Sequence, residues 1–211
     1  MNKITAAITA VGAYVPDYVL TNQILETLVD TNDEWITSRT GIKERRILKD
    51  DTKGTSFLAI NAALDLIKKA NVDPLEIDLI LMATATADMP VASTGAYVAT
   101  EIGATNAFSY DLPSACSSFL FGISTAAAYI ESGRYKKVLL IGADKMSSIV
   151  DYTDRATCII FGDGAGAVLF EPNYEGLGLQ DEYLRTDGDG RDFLKMTAGG
   201  SLYPASEQTL M

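Results

Sequence analysis

Two cysteines and no histidine set the chemical question for this chain. In "DLPSACSSFLFG", residues 111–122, Cys116 stands between a strand-like run and a helix-like run. A thiol over the first turn of a helix meets free backbone N–H groups and the positive end of the helix dipole, which stabilise a thiolate. The same N–H groups can take up oxyanion charge when that thiolate attacks a thioester carbonyl. The competing reading of Cys116 is a small buried apolar side chain, the common fate of a free cysteine. Cys158, in "ATCIIFGD", has apolar neighbours and no helix start of its own, and is assigned to the core. Without histidine or a C-x-x-C spacing a zinc site lacks ligands, so no metal is expected, and a disulfide is not expected either.

A second group of residues is suited to a flat aromatic ligand. "DEWITSRTG" puts Trp35 and Arg39 four apart, on one face of a short helix, where an indole and a guanidinium plane can sandwich a ring such as adenine. Arg45 and Arg46 follow closely. The alternative is a surface stack of tryptophan on arginine with no ligand. Arg155, in "DYTDRATCIIFGDG", suits a phosphate, or equally a structural ion pair with Asp151 or Asp154. "GDGAGA" at 162–167 satisfies G-x-G-x-x-A, but its glycines lead into "VLFEP", a strand, whereas a dinucleotide fingerprint opens a helix. The expectation is a tight, close-packed turn beside an active site or a neighbouring backbone.

Strand-like and helix-like stretches alternate, which is the sign of an α/β layer fold. A strand is expected over 4–12, then a short helix at "NDEWITSRTG" with Asn32 or Asp33 as N-cap and Gly41 as its stop. Residues 55–69 place Phe57, Ile60, Leu64 and Ile67 on one helical face, with Lys68 and Lys69 at the C-terminal end. "DPLE" at 73–76 is a helix start, with Glu76 set to close a capping box. It leads into "IDLILMATAT", an apolar run of the kind covered on both faces. A helix over 93–102 and a strand over 107–112 come next. The helix after Cys116 carries Phe119, Leu120, Ile123, Ala126, Ala127 and Ile130 on one side, and "KKVLLIGAD" and "GAGAVLFEP" are strands. The division expected is 1–172 as one α/β unit and 173–211 as a connector, glycine-rich and polar, with the chain incomplete beyond it.

At 211 residues, 47% hydrophobic and 21% charged, the composition is that of a globular protein with a substantial core. The net charge of −11 argues against nucleic acid and anionic membrane surfaces as partners, so an anionic ligand must be held by a local basic cluster. No apolar run reaches membrane-spanning length, and the N-terminus reads as a buried strand rather than a signal peptide. A cytoplasmic location is the expectation.

Together, "VDTNDEWITSRTGIKERR", "DLPSACSSF", "GADKMSS" and "YTDRATCIIFGDGAGAVL" resemble, in order and spacing, the β-ketoacyl-acyl-carrier-protein synthase III family of the thiolase superfamily. "DEWITSRTGIKER" is the most discriminating stretch. The resemblance implies the first half of a duplicated, five-layered αβαβα thiolase-like fold, a mixed sheet with covering helices. It implies that Cys116 is acylated by an acyl-CoA, commonly acetyl-CoA, and then condensed with malonyl-acyl-carrier protein as carbon dioxide leaves.

By the same resemblance Trp35 and Arg39 flank the CoA adenine, with Thr31 and Arg155 at the nucleotide end. Phe161 and the isoleucines before it line the pantetheine passage, and Met146 lies near the acyl pocket. Ala156 departs from the family, many of whose members have glycine there. A homodimer with no permanently bound cofactor is also implied. The family's catalytic histidine and asparagine have no counterpart here, so this chain is expected to be the N-terminal part. Two other functions fit parts of the pattern: a non-catalytic half-subunit that binds CoA or a partner chain, and acyl-CoA hydrolysis through a Cys-acyl intermediate.

Overall fold

A computed structural model of the chain describes residues 4–206; Lys3, from the segment read against a signal peptide, and 207–211, the end of the expected connector, lie outside the described residues. The chain forms two compact units, one up to Asp181 and one from Glu182 onward.

The first unit begins with β1 (Thr5–Tyr14), β2 (Tyr18–Thr21), α1 (Asn22–Leu25), α2 (Asp33–Thr40), β3 (Glu44–Ile47) and α3 (Thr55–Ala70). It continues with β4 (Leu79–Ala83), α4 (Thr94–Glu101), β5 (Phe108–Leu112), α5 (Ser118–Glu131), β6 (Val138–Lys145) and β7 (Asp163–Asn173). Five strands form one mixed sheet in the order β1-β7-β6-β4-β5, while β2 and β3 pair separately. The β4–β5 and β4–β6 pairs are parallel; β6–β7 and β1–β7 are antiparallel.

Strand alternation explains why "LILMA" is apolar throughout. Ile80 and Met82 point to a core shared with Leu58, Ala62 and Leu66 of α3 and Val98 of α4. Leu79, Leu81 and Ala83 point to the opposite core, with Ala126, Ala127 and Ile130 of α5. The result is helix on sheet on helix, as expected for one half of the thiolase-like arrangement. A third, smaller cluster, of Leu20, Leu25, Ile36, Ile47, Cys158 and Ile159, lies under α2 and the β2–β3 hairpin.

Three expectations are corrected. The buried face of α3 is Leu58, Ala59, Ala62, Ala63 and Leu66, whereas Leu64 is 43% exposed and Phe57, Ile60 and Ile67 pack only at its flank. The reason is close approach: a Cβ on Gly12 of β1 would collide with the Ala62 carbonyl and Leu66, so only the small-residue face of the helix fits the sheet. Leu120, expected to face inward from α5, is 58% exposed; Gly122 is buried instead, its missing Cβ taken up by Leu140. Pro74–Glu76 makes only a single 3-10 turn, capped by the Asp73 side chain, and Glu76 closes no capping box but pairs with Lys137 at 3.0 Å.

Among the described residues the second unit holds one 3-10 turn, Gly188–Asp192, closed by the Asp187 carboxylate accepting from the Asp189 N–H. Tyr183, Phe193 and Leu194 within it are exposed.

Candidate active site

The parallel strands β4, β5 and β6 all end at one edge of the sheet, where α/β proteins commonly hold their ligands. Ala83 at the end of β4 pairs in register with Leu112 on one side and Gly142 on the other. Cys116 follows β5 by four residues and is exposed. A cavity of about 280 Å³ opens there, lined by Cys116, Phe119, Ala83, Asp144, Met146 and Gly162 among others. The structure thus brings Cys116, Met146 and the glycine segment together.

Cys116 is in a 3-10 turn, Ala115–Ser117, that runs straight into α5. The expected helix start is therefore present, shifted two residues beyond the cysteine. Neither Ser114 nor Ser117 caps these turns with its side chain, so the leading N–H groups keep no local side-chain acceptor. Ser118 instead turns back, its Oγ accepting from the Ser114 N–H at 2.7 Å.

Ala115 has φ +48°, in the left-handed region where a Cβ is unfavourable. This strained residue precedes Cys116 and lines the cavity with it. Ala115→Gly is expected to stabilise the fold by about 0.5–1 kcal/mol in urea unfolding, the left-handed penalty outweighing the added freedom of the unfolded chain. An unchanged or lowered stability would show that Ala115 carries no strain.

The carboxylates near the cavity are committed. Asp144 Oδ1 accepts from Ala85 N (2.8 Å), Thr86 N (3.0 Å) and the Thr84 and Thr86 hydroxyls, tying the β4 loop to β6. Asp163 is buried and accepts from Leu48 N, Ser147 N and Ser147 Oγ, all within 2.8 Å. Both act as braces for the loops around Cys116.

The glycine segment forms no dinucleotide loop. It is not a turn either, because β7 starts at Asp163 and takes Gly164 and Gly166 into the strand. Gly162 meets the expected close approach: a Cβ there would sit 3.1 Å from Arg45 Cβ and 3.2 Å from the Arg46 carbonyl.

Cys158 is fully buried in the small cluster, and burial pushes its thiol up, with the Asp154 carboxylate adding to the shift. Both effects suppress its thiolate. Alkylation of the folded chain with iodoacetamide is therefore expected to label Cys116 and to leave Cys158 until denaturant is added, as peptide mass mapping would show. Labelling of Cys158 first would mean that the wrong sulfur has been assigned to the cavity.

The second group assembles around the indole. Asn32 caps α2, its Oδ1 accepting from Trp35 N at 2.8 Å, and Gly41 ends the helix at φ +74°. Arg39 lies over the Trp35 ring at 4.8 Å, and Arg155, from a distant segment, lies over it at 4.5 Å. Arg155 pairs with Asp30 at 3.6 Å, not with Asp151 or Asp154, whose carboxylates accept from their own following turns. Thr31, beside this group in sequence, has a buried Oγ1 with no hydrogen-bond partner among the described residues. Such an orphan is uncommon and suits a ligand atom as its partner.

Arg45 does not join the cluster; it is 4% exposed and fixed in the interior. Phe161 is half-buried, Ile160 is exposed and Ile159 belongs to the small core. The segment from Arg155 to Gly162 links the two places: its first residue stacks on Trp35 and its last lines the Cys116 cavity. Seven residues span at most about 25 Å when fully extended.

The 3-oxoacyl-[acyl-carrier-protein] synthase III family matches over residues 110–188. A β-ketoacyl-[acyl-carrier-protein] synthase III of Bacteroides thetaiotaomicron is 54% identical over 210 residues, which is 100% of this chain and 63% of that protein. A synthase III of Chlorobium chlorochromatii is 55% identical over 207 residues, 97% of this chain and again 63% of the relative. Among solved structures, a synthase III of Pseudomonas aeruginosa PAO1 superposes with a TM-score of 0.87 at 33% identity, over 94% of this chain and 62% of its own. The Aquifex aeolicus VF5 enzyme does so with a TM-score of 0.76 at 46% identity, over 79% and 53%. The chain therefore spans 63% of the length of these curated relatives. Matched along its whole length at such identity, and sharing the helix-sheet-helix fold, the chain is similar to the 3-oxoacyl-[acyl-carrier-protein] synthase III family.

Proposed function

We propose that this chain provides the acyl-accepting part of a condensing enzyme that starts fatty-acid synthesis. The observation that carries the reading is that one segment, Arg155–Gly164, runs from the Trp35 ring to the cavity of the exposed Cys116. In this reading the adenine of an acyl-CoA stacks at Trp35 with Arg39 and Arg155, and Thr31 Oγ1 bonds to the nucleotide end. The pantetheine arm passes Phe161, and the thioester reaches Cys116 beside Met146.

The Cys116 thiolate attacks the thioester carbonyl, and the backbone N–H groups at the start of α5 take up the oxyanion charge. The tetrahedral intermediate collapses with formation of the Cys116 thioester and departure of the CoA thiolate. In the condensation, decarboxylation of malonyl-acyl-carrier protein leaves a carbanion equivalent that attacks the acyl-cysteine and releases the thiol. This step needs donors for the enolate oxygen, and these 211 residues contain no histidine to serve. The division of labour proposed is acylation within 1–172, with 173–211 as connector toward the part that completes condensation. A second copy of the chain and malonyl-acyl-carrier protein are the partners in this reading, and no cofactor is permanently bound.

The test is incubation with acetyl-CoA labelled in the acetyl group, with label followed on the protein and in solution. Retained label at Cys116 with stoichiometric CoA release supports the proposal. Continuous CoA release with free acetate indicates hydrolysis instead, and CoA binding with no transfer indicates a non-catalytic half-subunit.

A further inference from the structure

Arg45 is a buried guanidinium whose three hydrogen bonds all go to neutral oxygens. Its Nε and Nη2 both donate to the Ile159 carbonyl, the former at 2.9 Å, and its Nη1 donates to Asn22 Oδ1 at 2.5 Å. Asn22 is itself fully buried and passes the connection on: its Nδ2 donates to Asp33 Oδ1 at 2.7 Å and to the Ile42 carbonyl at 2.9 Å. Asp33 is the first residue of α2, and Ile42 follows Gly41, which ends it. The relay therefore grips both ends of the helix that carries Trp35 and Arg39. At its other end it grips the segment that carries Arg155 and Phe161, at a carbonyl between them.

Holding a charge in the interior is unfavourable unless its donors are met, and burial here pulls the Arg45 pKa down from its ordinary value. The arrangement needs a planar fork. A lysine ammonium is a point donor on a flexible stem and cannot reproduce the paired bond to one carbonyl together with a third bond to an amide. Gly162 permits it, since a Cβ there would press on Arg45 Cβ at 3.1 Å.

We propose that Arg45 is a positioning residue for the nucleotide end of the site: it fixes the spacing between Trp35 on α2 and Arg155 on the facing segment, and so sets affinity for an adenine nucleotide without touching it. The inference rests on the acyl-CoA reading given above for its ligand, but not for its geometry. Arg39 shares its helix with Trp35 and keeps its place by local spacing, whereas Arg155 is 120 residues away in sequence from Trp35 and keeps its place only through tertiary contacts. Arg45 spans that gap.

Trp35 is the only tryptophan, so its fluorescence reports on this site directly. In the free chain, Arg45→Lys is expected to make Trp35 more accessible to acrylamide, with far-UV circular dichroism unchanged. With CoA, wild type is expected to show saturable quenching, and Arg45→Lys about tenfold weaker binding, as pre-organisation is lost. The acetylation rate of Cys116 at saturating acetyl-CoA is expected to stay the same, because the cavity has its own braces in Asp144 and Asp163. If Arg45→Lys does not fold, Asn22→Ser cuts only the α2 arm of the relay and is expected to show the same shifts at smaller size. Unchanged Trp35 accessibility in a folded variant overturns the positioning role whatever the ligand is. Changed accessibility with no CoA binding by wild type leaves the geometry standing and overturns the nucleotide reading together with the affinity claim.

Discussion

Cys116→Ala is expected to abolish transfer of the acetyl group from acetyl-CoA to the protein, with a loss of at least about 10³-fold in the rate of labelling. In the proposed reaction the thiol supplies the bond that forms as the CoA sulfur leaves, and the other cysteine is not placed to replace it. Cys158 is sealed in the small core with its thiol pushed up by burial. Cys116→Ser is expected to fail nearly as completely: a hydroxyl needs an adjacent base, the nearby carboxylates of Asp144 and Asp163 are engaged as acceptors, and no histidine exists in the chain. Both variants are expected to keep the wild-type unfolding midpoint within a small margin, since residue 116 is exposed. Intact-mass analysis after acetyl-CoA treatment checks the result. Labelling of Cys116→Ala at the wild-type rate would remove Cys116 from the mechanism.

Trp35→Ala is expected to weaken CoA binding by roughly 10- to 100-fold, the worth of about 1–3 kcal/mol for one base stacked on an aromatic ring. The change removes the surface on which Arg39 and Arg155 rest at 4.8 and 4.5 Å. The two guanidiniums then lose the ring that orders them. Phosphate attraction survives, so the remaining binding should depend more steeply on salt than wild-type binding does. Calorimetric titration at two ionic strengths checks both parts, because the tryptophan signal is lost in this variant. Equal affinity in wild type and variant would place the nucleotide elsewhere.

The elements around the site were legible because their signals are local. Asn32 and Gly41 delimit α2 by chemistry that acts within one turn, and the observed cap and stop are at those residues. The Trp35 and Arg39 pairing follows from helical spacing alone. Apolar continuity of "LILMA" announced a strand covered on both faces, and β4 is buried at every position. What spacing could not supply is which of two apolar faces a helix turns to the sheet. In α3 the larger residues suggested one face, and the close approach at Gly12 selected the other.

The same division holds for charges. Arg45, Arg46 and Arg155 look alike in sequence, and nothing local separates a ligand-facing arginine from a structural one. Folding sends Arg45 inward to Ile159 and Asn22, and brings Arg155 over a tryptophan 120 residues earlier. A signal for Arg45 was present only in combination: the core residue Ile159 and the close-packing Gly162 both mark a neighbour that is identified only once β3 is placed beside them.

By itself the sequence determined the α/β class, the family resemblance, the position of Cys116 at a strand-to-helix junction and the Trp35–Arg39 pair, because each depends on motifs whose residues lie within a few positions of one another. Only the tertiary structure decided that Arg155 rests on the indole, that Met146 and Gly162 share a cavity with Cys116, and that Arg45 turns inward. Those facts depend on strand order and on the approach distance of helix to sheet, which are set by packing across the whole core and leave no periodic trace along the chain.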